Sequence, residues 1–414
     1  MRSVYIMAPV LAVLFVVLTQ SSARAASQEQ VVLSFDGTDG SAPNAGLVSD
    51  AAGNLYGTTL GGGAYHSGTV FELLRGDNGE WTEQLLYSFN GGTDGWQPLA
   101  GLVFDAAGNL YGTTSLGGSA GDGTVFELTP GPNGEWTETV LHSFSGPDGN
   151  YPMAGVIFDA AGNLYGTTQT GGTAACECGV VFELSPEANG QWTETVLYNF
   201  DGKDGWSPLA GLTLDNAGNL YGTTAGTVLK DRKGTLFELT PSGHGEWFHT
   251  VLHNFGEGAD GAEPHAGLVF DTAGNLYTTT YYGGIYGYGA VVEVTPGAVA
   301  DRVLYSFNGN GEDGRYPEAA LIFDGKGNLY GTTAYGGTGL GCSNEFALCG
   351  IVFELTPGTN RQWTEQVLHN FLPNNFDGVG PLDSLTLDAA GNLYGTTLAG
   401  GAHQPDGTVF EVTP

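Results

Sequence analysis

The sequence predicts an all-β fold, a seven-bladed β-propeller of four-stranded antiparallel blades, on three observations. A G-N-L-Y core recurs seven times, at Gly53, Gly108, Gly162, Gly218, Gly274, Gly327 and Gly391, with spacings of 55, 54, 56, 56, 53 and 64 residues. Each copy is made only of short strand-like pieces, and a strand-only period of this size is that of a propeller. The two ends of the repeat region are complementary fragments of one copy. Residues 30–35 match a fourth strand, whereas residues 407–413 match a third strand and leave the last copy one strand short. Joining them closes a ring and removes the exposed sheet edges, a truncation that an open solenoid leaves unexplained.

Residues 1–25 carry Arg2, an apolar run from about Val4 to Leu18, and small residues ending in Ala23-Arg24-Ala25. This is the pattern of a secretory signal with an A-x-A cleavage site, and the run is shorter than the roughly 20 residues of a membrane-spanning helix. The propeller is therefore expected to occupy residues 26–414, in a protein that is secreted or held in the periplasm or cell envelope, with no membrane span after signal removal.

Within one copy, residues 100–105, 109–114, 123–129 and 136–144 are rich in β-branched and aromatic side chains and bounded by Gly, Pro, Asn or Asp. They are expected to form strands A, B, C and D. The A–B connection, from Asp105 to Asn109, has the leading Asp and late Gly of a tight hairpin turn. Antiparallel order places the D–A loops, carrying D-G-x-x-P, and the B–C loops, carrying G-G-x-x-x-G, on one face. That face is where a binding site is sought.

Glycine supplies 70 of 414 residues, at fixed places beside apolar segments, which reads as turns and bulges rather than disorder. The formal charge is −33, and removing residues 1–25, which hold Arg2, Arg24 and no acid, makes it −35. Such an acidic surface excludes phosphate-backbone binding, so no nucleic-acid partner is expected. Three repeat positions supply 21 of the 44 acids: the Asp before A-A-G-N or its variant, the Glu of F-E-L or its variant, and the Asp of the D-G turn. One Asp per D-G turn suits a turn cap better than a calcium loop, which presents several acids at alternating positions.

These motifs resemble the Gloeobacter/Verrucomicrobia (GloVer-type) tandem repeat, over essentially all of residues 31–414; G-N-L-Y-G-T-T and G-T-V-F-E-L-T-P are its specific pieces. The resemblance implies an exported protein, often with a C-terminal surface anchor; this chain shows none. It implies no particular activity and transfers no catalytic residues. The hairpin segment is also similar to that of NHL-type propellers.

Repeat positions build blades. Trp81, Trp136, Trp192, Trp247 and Trp363 share one position at the start of strand D, and His142, His253 and His369 replace Tyr87, Tyr198 and Tyr305 at another; both sets are expected to be structural. Function is sought where the repeat breaks. After the D-G-x-x-P proline stand Leu99, Met153 and Leu209, but also Asn44, His265, Glu318 and Leu382, with Asp383 next in place of Ala. One half of the channel mouth is thus polar, and His265, Glu318 and Asp383 are candidate ligands for a divalent metal such as calcium, although no cofactor is required. Aromatic breaks, Trp96, Tyr151, Trp206 and Tyr316, with Tyr281, Tyr282, Tyr286 and Tyr288 on one B–C loop, are candidates for stacking against sugars or a partner protein. Lys203, Lys230, Arg232 and Lys233 gather near one blade and are candidates to hold an anionic group.

Cys176 with Cys178, and Cys342 with Cys349, are expected to form local disulfides within two B–C loops, since pairing between the loops would span much of the ring. No nucleophile elbow, phosphate loop or H-E-x-x-H motif occurs. The leading expectation is a monomeric, non-catalytic binding or scaffold propeller that recognises a glycan or surface protein. A metal-assisted hydrolase or lyase at the channel mouth and a purely structural envelope protein are the alternatives.

Overall fold

The computed structural model describes residues 27–226, 233–256, 259–297, 301–339, 341–342, 347–374 and 376–414. The segment expected to be a secretory signal, residues 1–25, lies outside the described residues, as do Lys230 and Arg232. Seven four-stranded antiparallel sheets form, each with its strands in the order A-B-C-D. In the first blade these are Val48–Ser49, Leu55–Thr59, Thr69–Arg75 and Trp81–Ser88. The seventh blade takes Thr386–Leu387, Leu393–Thr397 and Thr408–Thr413 from the C-terminus, and Gln28–Ser34 closes it by pairing with Thr408–Thr413. Closure by the first strand therefore follows the sequence expectation.

Strand A is shorter than its sequence pattern: residues 100–105 were expected, and Val103–Phe104 form the ladder. The reason lies in the neighbouring blade. The hydroxyl of Thr58 donates to the carbonyl of Ala100 in the next blade at 3.0 Å, and Thr113 repeats this with Ala154, so the inner end of strand A bonds between blades.

The core is built at blade junctions. Tyr56, Val70, Leu86 and Phe89 of the first blade pack with Leu102, Leu110, Phe126 and Leu128 of the second, and each of seven such clusters draws on two adjacent blades. Stability in this ring is consequently a sum of neighbour contacts. The strand-D tryptophans join in: Trp81, Trp192, Trp247 and Trp363 meet edge-on the G-N-L-Y tyrosine of the preceding blade, at 5.7 to 6.5 Å. In the A–B turn, the Asp105 carboxylate accepts from the Ala107 and Asn109 amides, and the Tyr111 hydroxyl bridges Asp105 and Glu127.

The D-G aspartate caps the loop that leaves strand D. Asp94 accepts the Asn90 amide at 2.9 Å and the Tyr87 hydroxyl at 3.0 Å, and His142 and His253 take the tyrosine's place against Asp148 and Asp260. A glutamate on strand D of the next blade faces this aspartate. Burial first, and then the facing Asp39, Asp94, Asp148 or Asp313, pushes Glu83, Glu138, Glu194 and Glu365 up to about 7.

These junction acids set a pH dependence. A carboxyl raised from 4.5 in the unfolded chain to about 7 in the fold stabilises the fold when protonated, and that stability is lost as pH rises through about 7. His142, His249 and His265, lowered by burial, act in the opposite sense below 6.5. The urea midpoint is therefore expected to fall between pH 6.5 and pH 8. Glu138→Gln should raise the midpoint at pH 8 and flatten the profile; a wild-type midpoint that is level across this range would contradict the pairing.

Candidate ligand-binding face

The D–A and B–C loops share one face, because each D–A loop pairs with the B–C loop of its own blade: Ser41 with Gly61, Trp96 with Leu116, Asn150 with Thr170, Trp206 with Gly226. In every blade the residue before the loop proline lies at positive φ: Ala42, Gln97, Tyr151, Ser207, Glu263, Tyr316 and Gly380 span 54° to 68°. For non-glycine residues this conformation costs roughly 1–3 kcal/mol and persists only where its surroundings enforce it. Here they do. The Gln97 amide donates to the Ser67 carbonyl of the preceding blade at 3.0 Å, while its own carbonyl accepts from the Ser115 amide at 3.0 Å. The proline that follows packs on the glycine opening strand C of the preceding blade; a Cβ added to Gly68 would meet Pro98 Cδ at 2.5 Å. The loops of this face are thus stapled from blade to blade.

Within the ring the strand-A entries line a cavity of about 450 Å³. Leu99, Met153 and Leu209 wall one side, and Asn44, His265, Glu318, Asp383 and Ser384 contribute the polar side. Burial, then the neighbouring Asp383, pushes Glu318 up to about 7, and burial lowers His265 to about 4. Near pH 7, His265 is accordingly neutral and Glu318 is about half protonated. Asp383, raised by burial, accepts the Gly46 amide at 2.7 Å and the Ser384 amide at 2.6 Å. The three residues expected to hold a metal share the cavity. Among the described residues, however, triplets that bring three ligand atoms within 4.8 Å lie at blade junctions, and His265, Glu318 and Asp383 do not form one.

Beside the polar half, His265 stacks on Tyr281 at 4.8 Å and Tyr281 on Tyr316 at 5.0 Å, and Tyr282, Tyr288 and Tyr335 complete the cluster around Tyr316. Tyr316, expected among the exposed rings, is only 6% exposed. Crowding by these tyrosines covers it and leaves it a supporting role. Trp96, Tyr151 and Trp206 are exposed by 40%, 39% and 42%, on the D–A loops of the second, third and fourth blades. Tyr65, Tyr286 and Phe376 are further exposed rings on loops of this face; a single aromatic in a glycine-rich or polar loop was the only sequence sign of Tyr65 and Phe376.

Lys203 is exposed on the loop that carries Trp206, and its amide donates to Asp201 at 2.8 Å. Lys233 is half-buried, its stem lying over Gly256. Both expected disulfides are present, Cys176–Cys178 and Cys342–Cys349, with Cα atoms 5.1 and 5.7 Å apart. The second reaches the tyrosine cluster: Arg315, 5.9 Å above the Tyr288 ring, donates to the Cys342 carbonyl at 3.0 Å.

Seven sheets, a closing N-terminal strand and loops gathered around a central cavity define the class, a seven-bladed β-propeller with one loop-bearing face. The family model of the Gloeobacter/Verrucomicrobia repeat matches residues 18–228 and 214–414, and the chain belongs to that family. No curated protein matches it in sequence. Among solved structures, it is similar to PorZ, a surface component of the type-IX secretion system of Porphyromonas gingivalis, at 15% identity and a TM-score of 0.51, covering 92% of this chain and 47% of PorZ. It is also similar to a puromycin-hydrolyzing peptidase of Mycobacterium tuberculosis, at 11% identity and a TM-score of 0.50, covering 89% of this chain and 52% of that one. A candidate 6-phosphogluconolactonase from Bacteroides uniformis matches at 13% identity and a TM-score of 0.49, covering 79% and 84%. This chain spans about half the length of PorZ and of the peptidase, and the likeness shows the fold alone.

Proposed function

We propose that this propeller is an exported, non-catalytic binding module whose loop-bearing face recognises a glycan of the cell envelope or its surroundings. The observation that carries the reading is the row of Trp96, Tyr151 and Trp206, each about 40% exposed on successive blades. Flat rings held by a rigid scaffold offer large contact area with little ordering cost and suit the apolar faces of sugar rings. The D–A loops that carry them are fixed by the blade-to-blade hydrogen bonds at Gln97, Tyr151 and Ser207. Across the channel mouth, Asn44, His265 and Glu318 supply donors and acceptors for sugar hydroxyls. Two disulfides suit an oxidising, extracytoplasmic setting.

The hydrolase reading draws less support. His265, Glu318 and Asp383 do not bring three ligand atoms within 4.8 Å of one another, and both Asp383 oxygens already accept backbone amides.

Titration calorimetry with soluble envelope polysaccharide fractions tests the proposal. Trp96→Ala and Trp206→Ala are each expected to raise Kd by roughly 5- to 30-fold, about 1–2 kcal/mol, while unfolding moves by less than about 0.5 kcal/mol. Unchanged affinity in the double variant would overturn the assignment of this face. Binding confined to a co-purifying surface protein would replace the glycan with a protein partner.

A further inference from the structure

The ring closes at a junction where one polar atom on each of three residues is left without a hydrogen-bond partner. Glu29 lies on the closing strand, His369 on strand D of the sixth blade, Trp363–Asn370, and Asp377 in the loop that follows. At five other junctions the residue in the His369 register bonds the D-G aspartate: Tyr87 to Asp94, His142 to Asp148, Tyr198 to Asp204, His253 to Asp260 and Tyr305 to Asp313. At the closing junction it does not. His369 Nε2 stands 3.3 Å from Asp377 Oδ2, yet Nε2 has no hydrogen-bond partner, and neither does Asp377 Oδ1 nor Glu29 Oε1. All three atoms are shielded from solvent, and Asp377 is only 8% exposed. One ligand atom from each of the three residues lies within 4.8 Å of the others.

Asp377 Oδ2 accepts the Leu372 amide at 2.9 Å, but Asp377 Oδ1, Glu29 Oε1 and His369 Nε2 stay unpartnered, which is costly because buried polar atoms need compensating partners. A proton shared between the two acids would satisfy one oxygen of each and still leave the imidazole nitrogen bare. A divalent cation satisfies all three at once. Nitrogen among the ligands favours a transition-metal ion over calcium or magnesium, which prefer oxygen throughout, and three protein ligands leave a fourth tetrahedral position for water. We infer that Glu29, His369 and Asp377 form a zinc-type divalent metal site that clasps the closing strand to the sixth blade. The triplets His142, Asp148, Glu194 and His253, Asp260, Asp301 also bring an imidazole and two carboxylates within 4.8 Å. In both, the histidine is already hydrogen-bonded to its aspartate, at 3.1 and 2.9 Å, so no imidazole is left bare.

The test uses the secreted chain, residues 26–414, stripped with chelator and titrated with zinc chloride. One zinc ion per chain is expected to bind, with a rise in the thermal midpoint that equal calcium does not produce. His369→Tyr places at this junction the residue found in the same register of the first, third and fifth blades, so the variant should fold. Its zinc affinity should fall by at least about 10-fold. Glu29→Gln should weaken zinc equally while leaving the metal-free midpoint unchanged or higher, because one buried carboxylate is neutralised. His142→Tyr should leave stoichiometry and affinity as in the wild type. The inference is overturned by an absence of zinc binding, by binding that survives both His369→Tyr and Glu29→Gln, by equal loss in His142→Tyr, or by a site that takes calcium in preference to zinc.

Discussion

A chain that begins at residue 36 should lose cooperative folding or melt more than about 10 °C below the intact protein. Gln28–Ser34 makes six residue pairs with the last strand, and Phe35, fully buried, meets Phe71 edge-on at 5.1 Å. Loss of the Phe35 side chain alone costs about 3–5 kcal/mol, against a total stability of about 5–15 kcal/mol for an ordinary domain. The truncation also bares the edge of Thr408–Thr413, so association between chains is expected at high concentration. A synthetic peptide of residues 27–36 added in trans should restore much of the midpoint by strand addition. Calorimetry of the two chains with and without peptide checks this, and equal midpoints would mean that the ring does not depend on its closing strand.

The second large effect concerns a glycine in the middle of strand B. Gly112 lies opposite Phe126 in the B–C ladder, and a Cβ there would stand 2.7 Å from the tip of the Phe126 ring and 2.9 Å from Leu102 Cδ2. Six blades keep this Gly–Phe pairing. In the fifth, Thr278 stands opposite Val292, a larger residue facing a smaller one. Gly112→Thr is therefore expected to cost about 1–3 kcal/mol through overpacking. Phe126→Val alone should cost about 2–4 kcal/mol through the cavity it leaves and the lost contact with Phe89, whose ring lies 5.1 Å away. The double variant should recover about 0.5–3 kcal/mol relative to the sum of the two. Urea unfolding of the four proteins measures this coupling, and strict additivity would contradict the steric account.

The architecture was legible because its determinants are local and repeated. The Asp–Ala–Ala–Gly–Asn turn, the alternation along strand D and the complementary ends each announce themselves within one copy. The pairing of D–A with B–C loops on one face follows from antiparallel order alone, and the bridge between Trp96 and Leu116 agrees with it. What joins one blade to the next was not legible. Glu138 and Asp94 are ordinary acids in the sequence, and only the packing of one strand D beside the preceding loop buries Glu138 and sets it against Asp94, raising its carboxyl to about 7. The shortened strand A has the same origin, since Ala100 bonds a threonine of another blade.

The aromatic positions show the limit most plainly. Tyr151 and Tyr316 hold the same pre-proline position and nearly the same φ, 55° and 56°. One is exposed by 39% and the other by 6%, because the loops of the fifth and sixth blades bring Tyr281, Tyr282, Tyr288 and Tyr335 around the second. Register identified the position, and the neighbours decided what the ring does there. Likewise, the repeat breaks at His265, Glu318 and Asp383 lie on the channel wall, whereas the backbone amides that occupy Asp383 have no sequence signature.

The measurement that tests the central claim most directly is a broad glycan array probed in parallel with the chain of residues 26–414 and with its Trp96→Ala, Trp206→Ala double variant. Selective binding by the wild type, lost in an equally stable double variant, is the predicted result. A folded wild-type protein that binds no glycan, or a double variant that binds the same glycans equally well, would contradict the assignment of this face as a sugar-binding surface.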